Sequence, residues 1–197
     1  KKELIWVFHP GRFTEASKTR QFEKMFADFV GVKYACAVTS GTTALYVGLK
    51  ALGIGKNDEV IVPDLTFVAS PNSVEAVGAK PVLIDIERNS LNLDLKKIKQ
   101  AITKRTKAIM PVDFNGRAVD IKNISELANR YNLSLIEDAA HGLGCFYGKK
   151  HVGTMSDIGI FSFSTPKIIT TGQGGMIVTN NKKLYEKCKA IKDFGRK

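Results

Sequence analysis

Cysteine is scarce in this sequence, and its scarcity excludes whole classes of protein. Cys36, Cys145 and Cys188 are the three thiols among 197 residues. They are odd in number, widely spaced and never form a C-x-x-C pair. An odd, sparse set of thiols with no C-x-x-C pair makes neither a disulfide framework nor a zinc site expected. Reduced thiols in a cytoplasmic protein are the plain reading. Proline is also sparse, at six residues, and there is no Pro- or Ser-rich linker and no internal repeat. No apolar run approaches the ~18 residues of a transmembrane helix. The first residues, Lys1 to Trp6, lack the apolar core and small-residue cleavage site of a signal peptide. The chain does not begin with methionine, and its start reads as trimmed.

Acidic residues are outnumbered. Lys and Arg total 30 against 19 Asp and Glu, a formal charge of +11. Such an excess suits nucleic acid, a membrane surface or an acidic small molecule. The lysines are scattered, however, as at Lys18, Lys33, Lys50, Lys56, Lys80 and Lys96. Without a basic block or aromatic-interleaved stripe, a solvated basic surface is the better reading. What remains is ordinary: 44% hydrophobic and 25% charged residues describe a soluble globular protein. The length corresponds to about one domain with a sizeable core.

The hydrophobic pattern alternates between short apolar runs and 3.6-residue periodicity. Strands are expected at Tyr34–Val38, Val60–Val62, Val82–Ile84, Ala108–Val112, Leu133–Ile136, Ile158–Phe163 and Met176–Thr179. Helices are expected around Ala44–Leu52, Ala69–Val77, Leu95–Ile102, Ile121–Tyr131 and Leu184–Ile191. Strand–helix alternation with continuously apolar strands predicts an α/β fold with a mostly parallel sheet covered on both faces.

Ligands of such sheets collect at the carboxyl ends of the strands. Ser40-Gly41-Thr42-Thr43 follows the first strand at a helix N-terminus. There, free amides and hydroxyls form either an anion site or a simple cap. Glu137-Asp138-Ala139-Ala140-His141 follows the strand at Leu133–Ile136. Asp138 reads either as a helix N-cap or as the charge partner of a positive ring nitrogen or a metal. Ser164-Thr165-Pro166-Lys167 follows another strand and precedes Gly172-Gln173-Gly174-Gly175. Lys167 is either one more surface lysine or a Schiff-base nucleophile. Known nucleotide loops fit poorly: Gly142, Gly144 and Gly148 are spaced one residue too far for G-x-G-x-x-G, and Gly148-Lys149 lacks the flanking residues of a P-loop. H-E-x-x-H is absent.

Taken together, an anion cradle, a strand-end aspartate and a strand-end lysine are what a pyridoxal phosphate site requires. The cradle holds the phosphate, the aspartate keeps the pyridine nitrogen protonated, and the lysine bonds the aldehyde and moves protons. Phe67, after the second strand, is either the aromatic over the ring or a core residue.

The motifs Ser40–Leu45, Asp58–Pro63, Glu137–His141 and Phe161–Lys167 with Thr170–Met176 resemble the DegT/DnrJ/EryC1/StrS family. The match runs in order from about Gly11 to Arg196. The resemblance implies a three-layer α/β/α large domain of the aspartate-aminotransferase type (fold type I) over residues 1–197, with a small C-terminal domain missing. It implies a homodimer with shared active sites and pyridoxal 5'-phosphate as cofactor. It makes Lys167 the Schiff-base lysine, puts Asp138 on the pyridine nitrogen and His141 near the ring oxygen, and places Gly41, Thr42 and Ser162 on the phosphate and Phe67 on the ring. A core histidine stays open for His141. Members that remove a sugar hydroxyl carry histidine in place of the lysine, so Lys167 speaks for transamination. The stretch Thr165–Gly175 is most similar to members that aminate C4 of GDP-4-keto-6-deoxymannose with L-glutamate, a perosamine-type reaction.

Two features depart from the family pattern. Phe13–Lys18 lacks a glycine that relatives often carry, and the chain ends where relatives continue. The competing readings are a non-catalytic cofactor-binding fragment of the same fold and, less favoured, a basic nucleic-acid-binding protein.

Overall fold

The computed structural model describes residues 17–195. Of the Phe13–Lys18 segment only Ser17 and Lys18 fall among them. In chain order the helices are α1 (Ser17–Val30), α2 (Gly41–Ala51), α3 (Ala69–Ala76), α4 (Leu95–Ala101), α5 (Ile121–Arg130) and α6 (Lys182–Lys192). The strands are β1 (Tyr34–Val38), β2 (Glu59–Pro63), β3 (Lys80–Ile84), β4 (Thr106–Ile109), β5 (Ser134–Asp138), β8 (Ile158–Ser162) and β9 (Gly175–Thr179). A two-residue hairpin, β6 (Phe146–Tyr147) and β7 (Lys150–His151), lies between β5 and β8.

The seven long strands form one sheet in the order β1-β9-β8-β5-β4-β2-β3. The pairs from β8 through β5, β4 and β2 to β3 are parallel, whereas β9 is antiparallel to both β8 and β1. Every strand except β9 therefore points the same way. The carboxyl ends of β1, β8, β5, β4 and β2 share one edge, and β9 begins there. The expected mostly parallel sheet is present.

Period-two alternation sorts the strand side chains onto two faces. Val60, Val62, Ile158, Ile160 and Ile177 pack with Leu45, Leu49 and Val74, under α2 and α3. On the opposite face, Phe161, Met176 and Val178 pack with Phe26 and Val30 of α1. Ile61, Ile109 and Leu135 pack there with Ile98, Ile121 and Ile124 of α4 and α5. Helices thus cover both faces, giving the three-layer arrangement. Gly48 lets α2 lie hard against the sheet, because a Cβ there would stand 2.9 Å from Ile136 Cδ1.

Element limits differ from expectation chiefly at β4. The apolar run continues to Val112, but the strand ends at Ile109. Proline at 111 has no N–H with which to continue a ladder. Pro111 instead accepts from the Asp138 N–H at 2.9 Å, and Val112 bridges to Asp138. The chain has left β2 and leans on the end of β5. The helix Ser17–Val30 and the hairpin at 146–151 are elements the hydrophobic pattern did not mark.

Candidate active site

The shared carboxyl edge gathers the strand-end residues around one cavity of about 720 Å³. Gly41 and Thr42 line it from α2, Phe67 from the turn after β2, Asp138 and His141 from the turn after β5, and Ser162 and Lys167 from the end of β8 and beyond. All seven residues singled out in the sequence therefore meet in one place.

The cradle begins at Ser40. Its hydroxyl accepts from the Thr43 N–H at 3.0 Å and caps α2. The simple-cap reading is thus correct, and it leaves room for the other one. The first amides of a helix have no acceptor within it, and the cap takes only that of Thr43. The Gly41 and Thr42 N–H groups remain at the positive end of the helix dipole, facing the cavity. Gly41 also allows the helix end to approach β8: a Cβ there would stand 2.8 Å from Ser162 Cβ. The Ser162 hydroxyl lies in the same corner and reaches Ser164 Oγ at 3.3 Å. Replacing Gly41 with alanine is expected to push Ser162 out of this corner, at an overpacking cost of about 1–3 kcal/mol. Denaturant unfolding would show the loss of stability, and phosphate-ester affinity would fall with it.

Asp138 is buried, 5% exposed. No helix follows it, which closes the N-cap reading. Its Oδ2 accepts from Ser70 Oγ at 2.8 Å and its Oδ1 from the Ala140 N–H at 3.1 Å. Burial pushes its carboxyl above the usual aspartate range, and these two donors with the charges of His141 and Lys167 pull back only part of the way. A buried carboxylate so placed gains from a cation set against it. A protonated ring nitrogen supplies one.

Ser70 is a site residue that the sequence reading missed. It sits in the first turn of α3, fully buried, and also shares a 2.8 Å hydroxyl–hydroxyl hydrogen bond with Thr66. A serine inside a helix carries no sequence signal, since only the fold brings it 68 residues along the chain to Asp138. Ser70→Ala is expected to remove one hydrogen bond to a charged group, worth roughly 1.5–3 kcal/mol. Asp138 should then titrate at still higher pH, measurable by the pH dependence of ligand binding.

His141 is half-buried beside the cavity. Its Nδ1 accepts from the Asn115 N–H at 3.3 Å, and its ring lies tilted against Phe114, centroids 5.9 Å apart. With Nδ1 accepting, the proton sits on Nε2. Burial and the neighbouring Lys167 charge lower its pKa, so the ring is neutral at pH 7. It is a cavity residue and not a core histidine. Asn115 holds a left-handed backbone, φ 53°, to turn its amide toward that ring.

Lys167 is half-buried, and burial lowers its pKa against the opposing pull of Asp138. Its side chain lines the cavity. Its backbone N–H donates to Ser164 O at 3.0 Å in the turn that carries it. Phe67 is 65% exposed at the cavity's mouth, so the core-residue reading fails there too.

The donor set fits pyridoxal phosphate on its own chemistry. An amide-and-hydroxyl corner suits the phosphate, a buried aspartate short of positive charge suits the ring nitrogen, and an amine held below its usual pKa suits the aldehyde.

Known proteins give an independent comparison. The chain is 50% identical over 193 residues to GDP-perosamine synthase of Caulobacter vibrioides, covering 98% of this chain and 51% of that protein. The fold superimposes on the crystal structure of an aminotransferase from Psychrobacter cryohalolentis with a TM-score of 0.90 at 43% identity, covering 92% of this chain and 46% of that one. NtdA from Bacillus subtilis, solved with bound cofactor PMP, gives a TM-score of 0.84 at 39% identity over 90% of this chain and 40% of that one. The chain spans about half the length of the curated relatives it matches. The aminotransferase-type α/β fold expected from the motifs is the fold of these structures over the part that this chain covers. The sequence profile of one family covers residues 1–197 from end to end, and the chain belongs to the DegT/DnrJ/EryC1/StrS aminotransferase family.

Proposed function

We propose that residues 1–197 are the cofactor-binding large domain of a pyridoxal-phosphate-dependent aminotransferase. Its reaction moves an amino group from L-glutamate to a keto group of a nucleotide-linked deoxysugar. The observation that carries this reading is the meeting of Asp138, Lys167 and the free end of α2 around one cavity. When bound, pyridoxal phosphate supplies an electron sink that lets a proton leave the amine-bearing carbon.

The chain's residues do the rest. The Gly41 and Thr42 amides and the Ser162 hydroxyl would hold the phosphate. Phe67 would cover the ring. Asp138, steadied by Ser70 and Ala140, would keep the ring nitrogen protonated. His141, with its proton on Nε2, would donate to the ring oxygen. Lys167 would hold the aldehyde, and its Nζ would take up and return the proton that leaves the amine-bearing carbon. Its lowered pKa leaves more of the amine uncharged, and so able to accept that proton, at a given pH.

The substrate is GDP-4-keto-6-deoxymannose, aminated at C4. The similarity of Thr165–Gly175 and the 50% identity to a GDP-perosamine synthase support this choice. A homodimer with shared sites in the cytoplasm, followed by a smaller domain, completes the proposal, and relatives of twice the length support the last point. Among the described residues no helix is long and apolar enough to cross a membrane.

The test is a turnover assay on the complete gene product with L-glutamate and a panel of keto-sugar nucleotides. Repeated turnover with GDP-4-keto-6-deoxymannose is expected. Turnover only with another keto sugar overturns the substrate. Cofactor binding without turnover on any sugar favours the non-catalytic fragment.

A further inference from the structure

Beneath the cavity floor lie two acids that the proposed chemistry does not use. Asp113 and Glu137 are both fully buried, with no accessible surface. Asp113 Oδ1 accepts from the Val119 N–H at 3.0 Å. Its Oδ2 and both oxygens of Glu137 accept no well-formed hydrogen bond from any described donor. The groups facing Glu137 are the Asp113 carboxyl, the Gly153 N–H and the Ser156 hydroxyl, and that hydroxyl already donates to Ile158 O at 2.9 Å. The groups facing Asp113 are Glu137 and, further off, Asp138. Among the described residues, no lysine, arginine or histidine is among the main groups acting on either acid. Two bare carboxylates cannot stay charged together in such a place, because burying even one unpaired charge is prohibitive. A proton between them supplies the donor both lack.

We propose that Asp113 and Glu137 share one proton and act as a positioning pair that fixes the floor of the site. The pair sits where two site segments join. Asp113 follows Val112, which bridges to Asp138, and its N–H donates to Asp138 O at 3.1 Å. The loop that Asp113 closes through Val119 carries Asn115, whose N–H holds His141. A carboxyl–carboxyl bond from Asp113 to Glu137 therefore ties the Asp138 strand end to the His141 support. That these two residues serve catalysis rests on the proposed function, whereas the shared proton does not.

Burial raises both acids above the ordinary carboxylate range, and the Glu137 charge raises Asp113 further. The folded chain thus holds a proton that the unfolded chain has released. Stability from the pair is full below the ordinary carboxylate range. It falls as pH rises, until the raised value is passed. The slope is one proton, a tenfold change in the folding constant per pH unit.

Glu137→Gln supplies an N–H donor to Asp113 without a shared proton, and Asp113→Asn does the converse. In the complete gene product, the infrared difference spectrum of wild type minus either variant at neutral pH is expected to show a carboxylic-acid C=O stretch. The Glu137→Gln stability curve should lack the tenfold-per-unit fall. Its capture of added pyridoxal phosphate should hold at alkaline pH where wild type loses capture. Absence of the acid band from both difference spectra, or parallel stability curves, overturns the pair. If Glu137→Gln does not fold, the Asp113→Asn difference spectrum decides alone. The band without any transamination leaves the pair standing and removes the proposed activity.

Discussion

Lys167→Ala is expected to abolish covalent retention of pyridoxal phosphate and to lower kcat by on the order of 10⁴-fold, the upper reach of a positioned proton carrier. Among the described residues, Lys167 is the lysine that lines the cavity. Burial holds its amine below the usual pKa, so it is free to react at lower pH than an exposed side chain. Lys167→Arg makes the argument sharper. It keeps a positive charge beside Asp138 but has no nucleophilic amine. It should be as inactive as the alanine variant, and recovery of activity with arginine would mean the residue serves only as a charge.

Asp138→Asn should be nearly as damaging for a different reason. The variant keeps the shape of the side chain and one acceptor for Ser70 or Ala140, but removes the charge that would pair with the ring nitrogen. Taking one partner from a buried ion pair costs roughly 3–5 kcal/mol, which is about two to four decades in rate. The pH dependence carries the sign. In the cofactor-free chain the Asp138 carboxyl titrates above its usual range because it is desolvated. A cation bound against it lowers that value. Through Asp138 alone, cofactor affinity therefore rises with pH up to the raised value and then levels off, before the loss that release of the Asp113–Glu137 proton brings at alkaline pH. In Asp138→Asn the acid limb should vanish. A loss below tenfold, or an unchanged acid limb, would mean Asp138 is only a structural acceptor for Ser70.

The parts of the site carried by single strand ends were legible in the sequence. Ser40–Thr43, Asp138 and Lys167 each follow an apolar run, and in a parallel sheet such positions converge. The six-to-one strand direction made that inference hold, since β9 is antiparallel and starts at the same edge. What could not be read depends on distant pairings. Ser70 looks like a weak helix former until it lies under Asp138. Asp113 and Glu137 look like solvated charges until the break at Pro111 lays one against the other. The helix Ser17–Val30 buries Phe26, Ala27 and Val30 but leaves Met25 and Phe29 exposed, which blurs its apolar stripe. Its Phe22, Phe26 and Val30 make sense only over Phe161 and Phe163, where the Phe26–Phe161 rings meet edge-on at 5.1 Å. The hairpin at 146–151 has two residues per strand, too few for any alternation to register.

The most direct measurement is the site of covalent attachment. The complete gene product, loaded with pyridoxal phosphate, is reduced with borohydride, digested and read by mass spectrometry. A phosphopyridoxyl group on Lys167, lost in the presence of excess L-glutamate before reduction, is the predicted result. The label on another lysine, or no label in a protein that otherwise folds, would contradict the assignment of this cavity as the active site.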